Sequence, residues 1–254
     1  MTNDPLNELN LLQKDVLDKT IKDPIQLQKR CRKIWQMLEK EENETMLNQA
    51  LSILDKMIAN AKINPYFRAL LATTAGAIVE TGKSDGMIIF ESTLSLFMTA
   101  LQRGTDILKL KIKNKDYNNS KIDSEMQKMY PDATFAWAVL DIVCEPMKSI
   151  LIMNKEARKS VKEHQHHEDI LNSILSYMNY HHGCYYVYTM IHIMDGDMLV
   201  FHPQSFSGYK IHVTDMLDPM ILSHLCTKNL VGNPEEGLIP SKDNTGTTQF
   251  GLFN

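Results

Sequence analysis

The sequence predicts a mostly helical α+β fold, with a small antiparallel sheet near its C-terminal end. Three observations carry this prediction. Capping residues followed by apolar stripes at helical spacing recur between residues 23 and 182. From Cys184 the pattern turns aromatic and β-branched. Asp195-Gly196 then gives the dipeptide signal of a two-residue hairpin turn.

Asp23-Pro24 reads as an N-cap with proline at the first helical position, followed by Leu27, Cys31, Ile34, Trp35 and Leu38. Asn43 caps a second helix with the stripe Leu47, Ala50, Leu51, Leu54, Met57 and Ile58. Asn64-Pro65 opens a third, which Gly82 ends. Ser84 or Asp85 opens a fourth, which Gly104 ends. Short connections favour antiparallel neighbours. The third and fourth helices, with small residues Ala75, Gly76 and Ala100, resemble a degenerate tetratricopeptide hairpin.

Residues 107–113 alternate apolar and lysine, which favours a strand, although Lys and Leu also suit a helix. Pro131 or Asp132 opens a helix that is apolar nearly all round, with Phe135, Trp137, Val139, Leu140, Ile142, Val143 and Cys144. A helix without a wet face is expected at the centre of the fold, and Pro146 should kink or end it. Helical spacing resumes at Ile170, Leu171, Ile174, Leu175 and Met178, with Gly183 as the residue past the helix end.

Strands are expected at 185–194, 198–202 and 209–214, forming a three-stranded antiparallel meander packed on the helical body. The expected register pairs Leu199 with His212 and Val200 with Ile211, and gathers Ile191, Ile193, Met198, Val200, Ile211 and Val213 on one apolar face. His192 and His212 share the other face. Asp218-Pro219 caps a last helix, and Phe250, Leu252 and Phe253 dock the end of an irregular tail. The organisation is thus a helical body over 1–182, meander and helix over 183–231, and a tail over 232–254, folding as one cooperative unit.

The 254 residues are 43% hydrophobic, enough for a sizeable core, and the net charge is −4. That balance gives no global attraction to nucleic acid or to an anionic membrane. The lysines at 109, 111, 113 and 115 form a comb but lack interleaved aromatics. No apolar run approaches the roughly 20 residues of a bilayer span. The four cysteines are scattered and lack a CxxC pair, which suits reduced thiols in a cytoplasm.

All nine histidines lie at or after position 164. Histidine is both the common metal ligand and the near-neutral proton carrier. His164, His167 and Glu168 fall at i, i+3 and i+4. If one helix runs through them, they share a face and could hold zinc, or Glu168 could orient a catalytic His164. The bland reading is a solvated helix start. His181, His182 and Cys184 are also metal-ligand types, although a helix C-cap and a core cysteine explain them as well. His192 and His212 are candidate binding or catalytic residues on the sheet. His202 and Ser205 lie in one loop, without the nucleophile-elbow pattern.

At Phe201-His202-Pro203, Gly208-Tyr209-Lys210-Ile211, Val213, Met216 and Asp218 the chain resembles an uncharacterised family of bacterial proteins, clearest over 184–229. The Phe135-Ala136-Trp137 helix belongs to the same likeness. The resemblance implies a bacterial, cytoplasmic protein and no particular activity. The function expected is a non-catalytic helical interaction or accessory module with a protein partner. The alternative is a metal-dependent or histidine-based enzyme or ligand-binding protein using the C-terminal third.

Overall fold

Short polar side chains start most of the helices. Asp4, Asp23, Asn43 and Asn64 each accept a hydrogen bond from a first-turn backbone N–H, opening α1 (Pro5–Leu17), α2 (Pro24–Leu38), α3 (Glu44–Ala59) and α4 (Pro65–Glu80). Proline at the first position of α1, α2 and α4 adds the fixed φ of a helix start. Asp85 caps a short 3₁₀ turn, Gly86–Ile89, that leads into α5 (Phe90–Arg103). α4 ends where Gly82 takes φ +71°, a left-handed conformation that glycine adopts without strain. The computed structural model describes residues 4–116, 121–164, 167–194, 196–202, 207–214, 226, 230–232, 239–240 and 251–253.

The chain divides into two compact units, Met1–Tyr188 and Thr189–Asn254. The first is built around α8 (Pro131–Met153), whose Trp137, Leu140, Val143 and Met147 are fully buried. α8 packs most extensively on α4 and α5. Pro146 does not end this helix; it lies inside it. Its ring is seated against Gly76 of α4, where an added Cβ would stand 2.8 Å from Pro146 Cα. The small residues of α4 therefore serve contact with α8, rather than chiefly a tetratricopeptide-like pairing with α5. A narrow wet strip through Asp141 and Glu145 interrupts the apolar surface expected all round. Buried Arg158 of α9 (Lys155–Glu163) donates to the carbonyls of Leu151 and Ile152, capping the C-terminal end of α8.

Residues 105–114 form a helix, α6 (Thr105–Asn114), not a strand. Ile107, Leu108 and Lys111 are its buried side. Lys111 is wholly buried, donating to Asp116 Oδ2 at 2.9 Å and to the Lys121 carbonyl at 2.8 Å, with Nζ 5.6 Å from the Trp137 ring centroid. A lysine with such partners occupies a core position, and this is what made the stretch look like an alternating strand. α7 (Ser124–Met129) packs on α8, α10 (His167–Met178) packs on α5 and α9, and α11 (His182–Ile193) follows.

The expected first strand, 185–194, is helical as far as Ile193 and forms most of α11. Its tyrosines, Val187 and Ile191 have strand preferences, but Cys184, Val187, Ile191 and Met194 are buried at three- and four-residue steps. Helical burial overrides strand propensity here. The three-stranded meander is therefore not formed, and His192 lies on a helix rather than beside His212 on a sheet face. Gly196 starts β1 directly after this helix at φ +148°; Asp195, the first residue of the expected turn, lies outside the described residues.

In the second unit β1 (Gly196–His202) and β2 (Ser207–Val213) form an antiparallel pair. Its register pairs Met198 with Ile211 and Val200 with Tyr209. This is two residues from the expected register. A shift of two keeps every side chain on its expected face, because strand side chains alternate with period 2. Met198, Val200 and Val213 are accordingly buried with Cys226, and Ile211 and Leu230 pack beside them. β3 (Val231–Gly232) and β4 (Ile239–Pro240) pair in parallel. β5 (Gly251–Phe253) lies along the other edge of β1, so Leu252 and Phe253 dock the tail by strand pairing. Of the expected loop at 203–208, Ser207 and Gly208 belong to β2 and 203–206 lie outside the described residues, as does most of the expected helix over 218–229. Among the described residues no helix is long and apolar enough to cross a membrane.

Candidate metal centre

α8 and the junction between α10 and α11 bring three ligand-type side chains together. Cys144, His181 and Cys184 offer Sγ, ring nitrogen and Sγ atoms all within 4.8 Å of one another, and all three residues are buried. Each arrives for a local reason. Cys144 lies on the core side of α8, one turn after Leu140. His181 immediately precedes α11, and its Nδ1 lies 3.4 Å from the Cys184 backbone N–H, in the position of a helix cap. Gly183 lies in the first turn of α11 and is not the end of α10, which finishes at Met178. An added Cβ there would stand 2.6 Å from Cys144 Cβ and 2.8 Å from its Sγ. Glycine at 183 is what lets α11 approach α8 closely enough for the two thiols to meet.

The surroundings are aromatic. Trp137 lies edge-on to His181 at 5.2 Å between centroids, and Tyr177 packs on the other part of that indole at 5.4 Å. Tyr177 Oη donates to the Leu101 carbonyl at 2.5 Å, and burial raises its pKa. Asp141, also on α8, places its Oδ1 2.8 Å from His181 Nε2. Asp141 is 48% exposed, whereas the His181 side chain is 2% exposed. Despite that distance, Nε2 has no partner in hydrogen-bonding geometry. The contact is a charge contact lying off the direction of the ring N–H.

Burial by itself favours the neutral imidazole, but contact with Asp141 and Cys144 outweighs it and lifts the His181 pKa to about 9. Burial, then contact with Cys184, pushes the Cys144 thiol well above its ordinary value, so Cys144 is a neutral partner near pH 7. The Cys184 amide facing Nδ1 pulls the other way, toward a neutral ring.

Two chemistries suit this arrangement. Cys144, His181 and Asp141 stand in the order of nucleophile, base and orienting carboxylate. A nucleophilic thiol, however, needs access and a lowered pKa, and Cys144 is 1% exposed with its pKa raised. Two thiols and an imidazole converging in a dry core are instead the donor set of a zinc-class ion.

The histidines and glutamate proposed from sequence stand elsewhere. His164 is the residue after α9, half-buried in extended conformation at φ −63°, ψ 139°. α10 starts separately at His167, so no single helix runs through His164, His167 and Glu168, and Glu168 is exposed in its first turn. The side chains of His167 and His192 lie outside the described residues. His212 is 70% exposed on β2, with Nδ1 3.0 Å from Asp197 Oδ1. Among the described residues the one convergent ligand group is Cys144, His181 and Cys184. Of the ligand types His181, His182 and Cys184, the structure gathers His181 and Cys184 and leaves His182 exposed, whereas Cys144 reads in the sequence as a core residue of an apolar helix. The chain matches no protein-family model, no curated protein and no solved structure.

Proposed function

We propose that the chain is a helical metal-binding protein whose Cys144, His181 and Cys184 hold a thiophilic divalent ion of the zinc class. The observation that supports this is the convergence of three buried donor atoms within 4.8 Å. Such an ion would clasp α8 to the start of α11. Its chemistry there is structural: it displaces the protons of two thiols and of the His181 imidazolium, and organises three side chains from α8 and the start of α11. Titrating the reduced, untagged protein with Co²⁺ tests the proposal. The expected result is one ion per chain with sulfur-to-cobalt charge-transfer absorption, abolished in Cys144→Ser and Cys184→Ser. Absence of that absorption in the reduced wild-type protein overturns it.

A second reading, an accessory module that binds a protein partner, is favoured by a groove of about 250 Å³ between α2 and α4. Half-buried Trp35 and the aliphatic Leu70 and Ala77 line it, with Arg32 at the rim. A partner recovered from the native host with wild-type protein, and lost with folded Trp35→Glu, is the outcome this reading requires. Equal recovery with both proteins removes it.

A further inference from the structure

Zinc-class ions in closed protein sites take four donors in a tetrahedron, and Cys144, His181 and Cys184 supply three. We infer that Asp141 is the fourth donor and the path by which the ion reaches the core, making the site exchangeable rather than sealed. This rests on the metal-binding reading above.

The geometry at His181 carries it. Nε2 and Asp141 Oδ1 are 2.8 Å apart, and Nε2, although buried, makes no hydrogen bond of acceptable geometry. Two polar atoms that touch without facing each other suit donors converging on a shared third point. In a tetrahedral shell with bonds of about 2.0–2.3 Å, neighbouring donor atoms lie roughly 3.3–3.8 Å apart. Asp141 stands outside the set of donors that lie within 4.8 Å of one another, so its carboxylate must swing inward on loading, while its 2.8 Å contact with Nε2 opens to that range. Asp141 and Cys144 are three residues apart on α8 and therefore lie on one side of it. Nδ1 faces the Cys184 amide, which leaves Nε2 as the nitrogen turned toward Asp141. With Nε2 on the ion, the ring proton sits on Nδ1 and the 3.4 Å cap contact opens; that contact is already longer than an ordinary hydrogen bond.

Exposure decides the second half of the inference. The three core donors are buried, while Asp141 is 48% exposed and is an oxygen donor, the hardest of the four. It is the donor that can meet a hydrated ion first, and the one a chelator can displace first. Two thiolates, Asp141 and a neutral imidazole around a divalent ion leave one net negative charge, placed at the site's half-exposed side, where solvent can screen it.

The test compares wild type, Asp141→Ala, Asp141→Asn and Asp141→Glu, each loaded with Co²⁺ under reducing conditions and then challenged with a chromogenic chelator. Asp141 is half exposed, and far-UV circular dichroism checks that each variant is folded. We expect Asp141→Ala and Asp141→Asn to bind about 10–100-fold more weakly. They should keep the thiolate charge-transfer band, show altered d–d bands as water replaces the carboxylate, and change the release rate at least several-fold; Asp141→Glu should restore part of the affinity. If Asp141→Ala matches wild type in affinity and d–d spectrum, the inference is overturned while the metal reading stands. Weaker binding with an unaltered d–d spectrum also overturns it, since Asp141 then acts only through His181. Failure of wild type to bind Co²⁺ overturns both readings.

Discussion

Gly183 shows how much one residue can decide. Its missing side chain is the space occupied by Cys144, so Gly183→Ala must either push α11 outward or rotate the Cys144 side chain. The expected cost is about 1–3 kcal/mol in urea unfolding at constant m-value. A change below 0.5 kcal/mol would mean that the thiols are not held as described. Between α1 and α2, Arg30 donates to Asp15 and holds its carboxyl below the usual range. The sign follows from that direction. A carboxylate with a lowered native pKa adds stability above its unfolded pKa, and the contribution is lost as pH falls through the native value. Arg30→Ala should therefore destabilise slightly at pH 7, and its difference from wild type should vanish in unfolding curves taken near pH 2–3. Because the pair is partly exposed, the effect is small and should shrink further in high salt.

At the scale of the element, burial spacing outranks propensity. α11 is rich in residues that prefer strands, yet its buried side chains recur at helical steps and it is a helix. The hairpin makes the complementary point. Val200 is fully buried and Leu199, its neighbour in the same strand, is 52% exposed. Val200→Ala should cost about 1–3 kcal/mol by loss of buried methyl groups. Leu199→Ala should stay within about 0.5 kcal/mol. Thermal unfolding monitored for 189–254, by hydrogen exchange of β1 and β2, distinguishes the two. Equal effects would refute the face assignment, which was legible from alternation alone and survives the two-residue difference in register.

At the scale of the whole molecule, the proposed ion links binding to stability. A ligand that binds only the folded state adds about 2.7 kcal/mol at 100 times its dissociation constant. Zinc should therefore raise the melting transition of wild type in calorimetry by several degrees, and a chelator should reverse the shift. Cys144→Ser should show neither response. A zinc-induced shift of equal size in Cys144→Ser would place the effect at other residues.

Helix starts were readable from the chain because capping is local: Asp23, Asn43, Asn64 and Asp85 reach backbone groups two or three residues away. The inward side of the hairpin was readable for a similar reason, since strand side chains alternate with period 2 and so put Met198, Val200, Ile211 and Val213 on one face. Whether 107–113 and 185–194 coil or extend depended on what they pack against, and only the tertiary structure decided it. The same holds for the candidate site. Cys144 and His181 are 37 positions apart, and nothing near either predicts the other. Their meeting depends on a close helix approach at Gly183, a property of packing that no local periodicity encodes.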